Sequence, residues 1–215
     1  MNSFFDKSTK FWSNSHAELS NVNSKLDALD ILYQNCMTFN DMYFKAELKK
    51  RSITFNKVLS ERNSKFKDDD LLIMESDYEM ATNESLTILS NFIVVASYSY
   101  YEQGLKNIMR FSGLFNKSKI EDCYRNEVFL SIFNKEEYIK NIVDRSDYKK
   151  VNELRFLNNA IKHNGIVDKK LHSTNPKWIT KESIKNTYDD FSRLKDGICE
   201  LLSEIISKTH SNITT

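Results

Sequence analysis

Residues 151–165 read VNELRFLNNAIKHNG, and their spacing decides how the whole chain is read. Val151, Leu154, Leu157 and Ile161 recur at three- and four-residue steps, the period of an amphipathic helix. Arg155, Asn159 and His163 recur at four-residue steps and fan over roughly 80° of the opposite side, at about 100° per residue. Gly165 follows the last periodic residue and reads as a left-handed cap, which puts His163 in a final turn whose unpaired carbonyls favour the imidazolium. Ser146 or Asp147 is the expected start of this helix.

Those residue types suit one chemistry in particular. Cleaving RNA without a metal needs a group titrating near neutrality to move the proton of a 2′-hydroxyl, and a permanent cation beside the phosphorus. His163 and Arg155 are such groups, and Asn159 lies between them. The surroundings are locally basic: residues 145–185 carry ten Lys and Arg against four Asp and Glu. Phosphate backbones are drawn to such a patch. Asn158, Lys162, Lys169 and Lys170 are the candidates there for holding substrate.

Composition points to an all-α fold. The chain has 215 residues, enough for one large domain, with only four Gly and one Pro. Its formal charge of +1 gives no global field for nucleic acid, so any attraction must be local. Cys36, Cys123 and Cys199 are odd in number and far apart, as expected of reduced thiols in a cytoplasmic protein. His16, His163, His172 and His210 show no zinc spacing, so neither a metal nor another cofactor is expected. No apolar run approaches the ~20 residues of a membrane span, and the first residues lack a secretory pattern.

Moving outward from the motif, residues 71–112 read as one long helix ended by Gly113. Its centre, NFIVVASYSYYEQGLKNIM, is apolar on almost every side and is expected to be packed all round. Glu102 within it is a costly carboxylate unless paired, and it can orient Arg155 or His163, pair with a neighbouring helix, or occupy a wet edge. Tyr98, Tyr100 and Tyr101 read as core packing. A helical pattern also runs from about residue 23 to 62, after a loose lead, and residues 115–144 read as short helices. Thr180 is the expected cap of a last helix, frayed after Lys208. The expectation is a single domain over residues 1–215: an N-terminal helical extension (1–70) and an up-and-down bundle of four to five helices (71–208).

The buried segment SYSYYEQGLKNIM, the polar helix ending NNAIKHNG and the closing segment ITKESIKNTYDDF together resemble the HEPN superfamily of helical-bundle domains, over about residues 86–206. The resemblance implies a homodimer with a metal-independent endoribonuclease cleft between two copies of the Arg-to-His helix, leaving 2′,3′-cyclic phosphate ends. It also implies a toxin or anti-phage role, with an antitoxin or a defence protein as possible partner. His163 matches the motif histidine and Asn159 the polar residue four places before it. Seven residues separate Arg155 from His163, against four to six in the family pattern, so the cation is Arg155 or a residue such as Lys162 of a partner subunit. The alternative is a non-catalytic HEPN-like module that binds a partner protein, RNA or a nucleotide.

Overall fold

Four long helices make the bundle: α1 (Asn2–Arg62), α2 (Asp69–Ser112), α5 (Ser146–His163) and α7 (Tyr188–Thr214). Three shorter ones lie between them, α3 (Lys117–Asp122), α4 (Asn126–Phe133) and α6 (Lys169–His172), with a 3-10 turn over Ile142–Asp144. The structure, a computed structural model, describes residues 2–62 and 69–214. Among the described residues the only β-pairing is an isolated antiparallel bridge, Ile166 to Ser183.

α7 is the hub. Phe191, Leu194, Ile198, Leu201, Leu202, Ile205 and Ile206 repeat at helical spacing and are fully buried, against α1, α2 and α5. Each such side chain contributes about 1.5–3 kcal/mol by leaving water. Two glycines let the neighbours close in. A Cβ on Gly197 would lie 2.6 Å from Cβ of Lys150 and 3.2 Å from the Asp147 carbonyl, so α7 meets the first turns of α5 with no room between. A Cβ on Gly104 would lie 2.8 Å from Cγ2 of Val22, where α2 crosses α1.

The helix over 69–112 forms as expected and ends at Gly113, whose φ is +64°. It is not packed all round. Ile93, Val94, Ser97, Tyr98, Tyr101 and Leu105 are buried, while Phe92, Ser99, Gln103 and Arg110 form one wet edge. Tyr98 and Tyr101 are core residues, as their composition suggested. Asp69 and Asp70 begin this helix, and Asp68 lies outside the described residues.

Three boundaries differ from expectation. Residues before 23 are no loose lead: α1 is continuous, and Phe11, Ser15, Val22, Leu26, Leu29 and Tyr33 form a buried seam at three-, four- and seven-residue steps. The first half of α1 therefore shares the core with α7, and the part of the chain outside the core begins after Tyr33. Serines at seam positions hid this periodicity, because a close helix contact accepts a small polar side chain as readily as an apolar one. Thr180 caps nothing. The last helix starts at Tyr188, after an irregular stretch in which Lys181 and Asn186 take positive φ, and the Thr187 hydroxyl and amide are held by Asn91 and Ser90. Nor is the end frayed, because Thr209 and Ile213 are buried against the rest of the bundle.

Candidate functional site

α5 begins at Ser146, yet neither Ser146 nor Asp147 caps it; Arg145 is the cap residue and uses no side-chain bond to do so. Asp147 instead accepts three bonds from the Arg145 Nε and Nη2 and one of 2.7 Å from its neighbour's amide, Tyr148 N–H. Burial alone would push its carboxyl up, but the Arg145 guanidinium and the Tyr148 amide outweigh it and hold the group below its ordinary range. At the other end Gly165, with φ +66°, returns its N–H to the Ala160 carbonyl at 2.9 Å. The expected cap is present, and His163 occupies the last turn.

The inner side of α5 is more polar than the sequence pattern shows. Val151, Leu154, Leu157 and Ala160 are buried, and Glu153 is buried beside them. The Glu153 carboxylate accepts from Trp178 Nε1 at 2.8 Å and from both Nη atoms of Arg193, at 2.5 and 3.1 Å. Arg193 also reaches Asp190, which pairs with Lys177. This cluster ties α5, α7 and the loop carrying Trp178 into one body, so the loop beyond the motif is held to the helix that bears it. Sequence reasoning passed over it. The available signal was an acid standing in the sector next to Leu154 and Leu157.

The candidate residues divide into two groups. Asn159, Lys162 and His163 are exposed along the outer face of α5, and Lys169 and Lys170 are exposed on α6, which the Asp168 side chain caps at 2.7 Å. Asn158 is not available to a ligand: it is 2 % exposed, its Nδ2 donates to Asn159 Oδ1 at 3.3 Å, and its own Oδ1 is buried without an acceptor's partner. At a position one step from Leu157, an amide turns inward with the apolar stripe.

Arg155 is half-buried and turned toward the N-terminal end of the helix. Its Nη2 donates to Asn152 Oδ1 at 2.8 Å, its guanidinium lies 4.3 Å from the centre of the Phe156 ring, and its Nε is buried without a partner. With Tyr98, Tyr101, Tyr148 and Asn152 it lines a cavity of about 20 Å³, room for one water molecule. Arg155 and His163 are eight residues apart, about 12 Å along the axis, and helical side chains lean toward the N-terminus. Within one chain the guanidinium and the imidazole therefore do not converge.

Glu102 is half-buried and feels the charges of Lys162 and Lys106. Burial pushes its carboxyl above the usual range, and the positive charges of Lys162 and Lys106 pull it partly back. Burial drives the Cys123 thiol beside the cavity up to about 12, which favours its protonated form. The local excess of positive charge is also smaller than the sequence count. Lys150 and Lys177 are paired with Glu200 and Asp190, acids that lie outside residues 145–185.

Among the described residues, no group of three or more His, Cys, Asp or Glu is arranged to hold a metal ion, and no helix is long and apolar enough to cross a membrane. Compared with protein-family models, with curated proteins and with solved structures, the chain matches none of them.

Proposed function

We propose that this helical bundle is a metal-independent endoribonuclease of HEPN type, working in the cytoplasm as a toxin or an anti-phage component. The observation that supports the reading is the outer face of α5, where an imidazole, an ammonium and an amide (His163, Lys162 and Asn159) stand together in solvent on a rigid helix. His163 takes the proton of a 2′-hydroxyl, the 2′-oxygen attacks phosphorus, and the bond to the 5′-oxygen breaks as that oxygen receives the proton. The products are a 2′,3′-cyclic phosphate and a free 5′-hydroxyl. Lys162 supplies the cation beside the phosphorus, Asn159 orients the phosphate, and Lys169 and Lys170 draw the strand in. A second copy of the chain completes the cleft, and an antitoxin or another defence protein controls it.

One observation favours a second reading, a non-catalytic module that holds RNA, a nucleotide or a protein on the same face. Arg155, the residue best suited to a crowded phosphorus, is engaged with Asn152 and turned away from His163. Labelled single-stranded RNA incubated with the protein in chelator separates the two. The nuclease reading expects cleavage that falls at least 100-fold in His163→Ala and at least tenfold in Lys162→Ala. RNA that is bound by the wild type and remains intact would establish the second reading.

A further inference from the structure

We infer that the cavity beside Arg155 is a binding site for a monatomic anion of about the size of chloride. It lies where three helices meet. α2 brings Tyr98 and Tyr101, α4 brings Asn126 as its first residue, and α5 brings Tyr148, Asn152 and Arg155. Nothing in this inference involves RNA. It concerns the groups enclosed between α2, α4 and α5, not the outer face of α5 that carries His163.

The polar groups of the lining are donors. Arg155 Nε is buried and has no acceptor. Tyr98 and Tyr101 are each 4 % exposed with their ring centroids 5.8 Å apart, and neither hydroxyl has a hydrogen-bond partner among the described residues. Burial pushes both phenols well above their ordinary range, so each keeps its proton and can donate it. The amide oxygens are already taken. Asn126 Oδ1 accepts from the Tyr148 hydroxyl at 2.9 Å, and Asn152 Oδ1 from Arg155 Nη2 at 2.8 Å. What the lining offers a ligand is therefore a guanidinium N–H, two hydroxyls and the N–H groups of two amides. Buried donors are costly to leave unmade, and an acceptor of several bonds relieves them together.

Charge gives the sign of that acceptor and volume its size. Among the described residues no carboxylate lines the cavity and none pairs with Arg155, whereas Arg145 and Arg193 are each paired with acids. Glu102, whose charge is felt by Tyr98 and Tyr101, stands outside the lining, and burial pushes it toward its neutral form. A half-buried guanidinium among aromatic rings is poorly screened, so a negative charge beside it is strongly attracted. Water suits the lining less well, because it brings two hydrogens that need acceptors and leaves the guanidinium charge unbalanced. A monatomic anion accepts from every donor and balances the charge. About 20 Å³ holds one particle near the size of water, so a phosphate does not enter. An ion held there ties α2, α4 and α5 together and keeps Arg155 turned toward the N-terminal end of its helix.

The test uses the full chain at neutral pH and constant ionic strength, with sodium gluconate exchanged in steps for sodium chloride, bromide or phosphate. Melting temperatures of the wild type should rise by a few degrees and saturate with chloride and with bromide, and should not respond to phosphate. Arg155→Met, and the double variant Tyr98→Phe/Tyr101→Phe, should each weaken the halide response about tenfold or more while helical circular dichroism is retained. The double variant removes only two oxygens and serves if Arg155→Met does not fold. Crystals grown in bromide should show an anomalous peak within hydrogen-bonding distance of Arg155 Nε. Melts that do not distinguish halide from gluconate, a halide response that persists in the folded variants, or a water at that position in bromide would each overturn the proposal. So would a rise with phosphate alone, since that anion acts from outside the cavity.

Discussion

The two ends of the chain's long helices obey different rules. Around α7, every apolar side chain from Phe191 to Ile206 is sealed, and glycine appears where helices must touch. Along the arm that α1 and α2 form beyond the core, where Phe44 stacks on Tyr78, the side chains of Phe39, Met42, Ile53, Ile73 and Met80 stand more than half exposed on helices that are just as regular. Helical order thus does not report packing here, because one uninterrupted backbone ladder runs from the core into solvent. The core end is held by burial, and the arm by continuity with it and by ion pairs within α1 such as Lys45 with Asp41 and Arg51 with Glu47. Exposed pairs of that kind contribute little, because water screens them.

Removing a methyl-rich side chain is the sharpest way to break this comparison. Leu201→Ala in α7 should cost about 3–4 kcal/mol in urea unfolding, whereas Ile73→Ser on the arm should change stability by less than about 0.5 kcal/mol. Equal losses would mean that arm and bundle are one cooperative packing unit. Adding a methyl group probes the same contrast from the other side. Gly197→Ala should cost about 1–3 kcal/mol, because the new Cβ meets Lys150 and an unyielding Asp147 carbonyl. The buried cluster comes next: Arg193→Ala leaves the Glu153 carboxylate buried with only neutral donors, at a cost of about 2–3 kcal/mol in the same assay.

Acid should loosen the bundle before the arm. Asp30 is held below the ordinary carboxylate range by its bonds from Lys195 and Tyr188, and Asp147 by Arg145 and the Tyr148 amide against its burial. Each stays ionised in the folded state at a pH where the unfolded chain is protonated. Their stabilisation is therefore complete above the usual carboxylate pKa of about 4, and it is lost as pH falls through their lower folded values. The Asp30 pair joins α1 to α7 and the Asp147 pair fixes the start of α5, so a pH series of thermal melts should show the melting temperature falling below about pH 4, less so in Asp147→Asn. Glu102 has the opposite sign and the smallest effect. Its raised pKa makes the ionised form unfavourable, so Glu102→Gln should melt slightly higher at neutral pH, with the gain vanishing in acid.

The all-helical class, α2 with its Gly113 stop, and α5 with its Gly165 cap were legible because each rests on local signals: few Gly and Pro, regular apolar spacing, and a glycine after the last turn. The start of α1 was not, because its seam uses Ser8 and Ser15 where a pattern reader looks for apolar residues. The start of α7 was misread for a tertiary reason. Thr180 looks like a cap, but Ile184 is buried from an irregular strand of loop, and Thr187 is fixed by Ser90 and Asn91, nearly a hundred residues away.

At the candidate site, spacing put Arg155, Asn159 and His163 on one face; Asn159 and His163 are exposed there, with Lys162 beside them. It could not give the direction of Arg155, which is set by Asn152 and Phe156 on its own helix and by tyrosines from α2 and α5 around the cavity. Nor could it show that Asn158, one residue away from Asn159, is turned inside. One step on a helix is about 100°, enough to separate a ligand-binding side chain from a core one.

The most direct measurement of the central claim is the chemistry of the RNA ends left by this face of α5. Mass spectrometry of single-stranded RNA incubated with the wild type in chelator should find 2′,3′-cyclic phosphates paired with 5′-hydroxyls, and none with His163→Ala. Intact RNA from the wild type, or the same ends from His163→Ala, would contradict it.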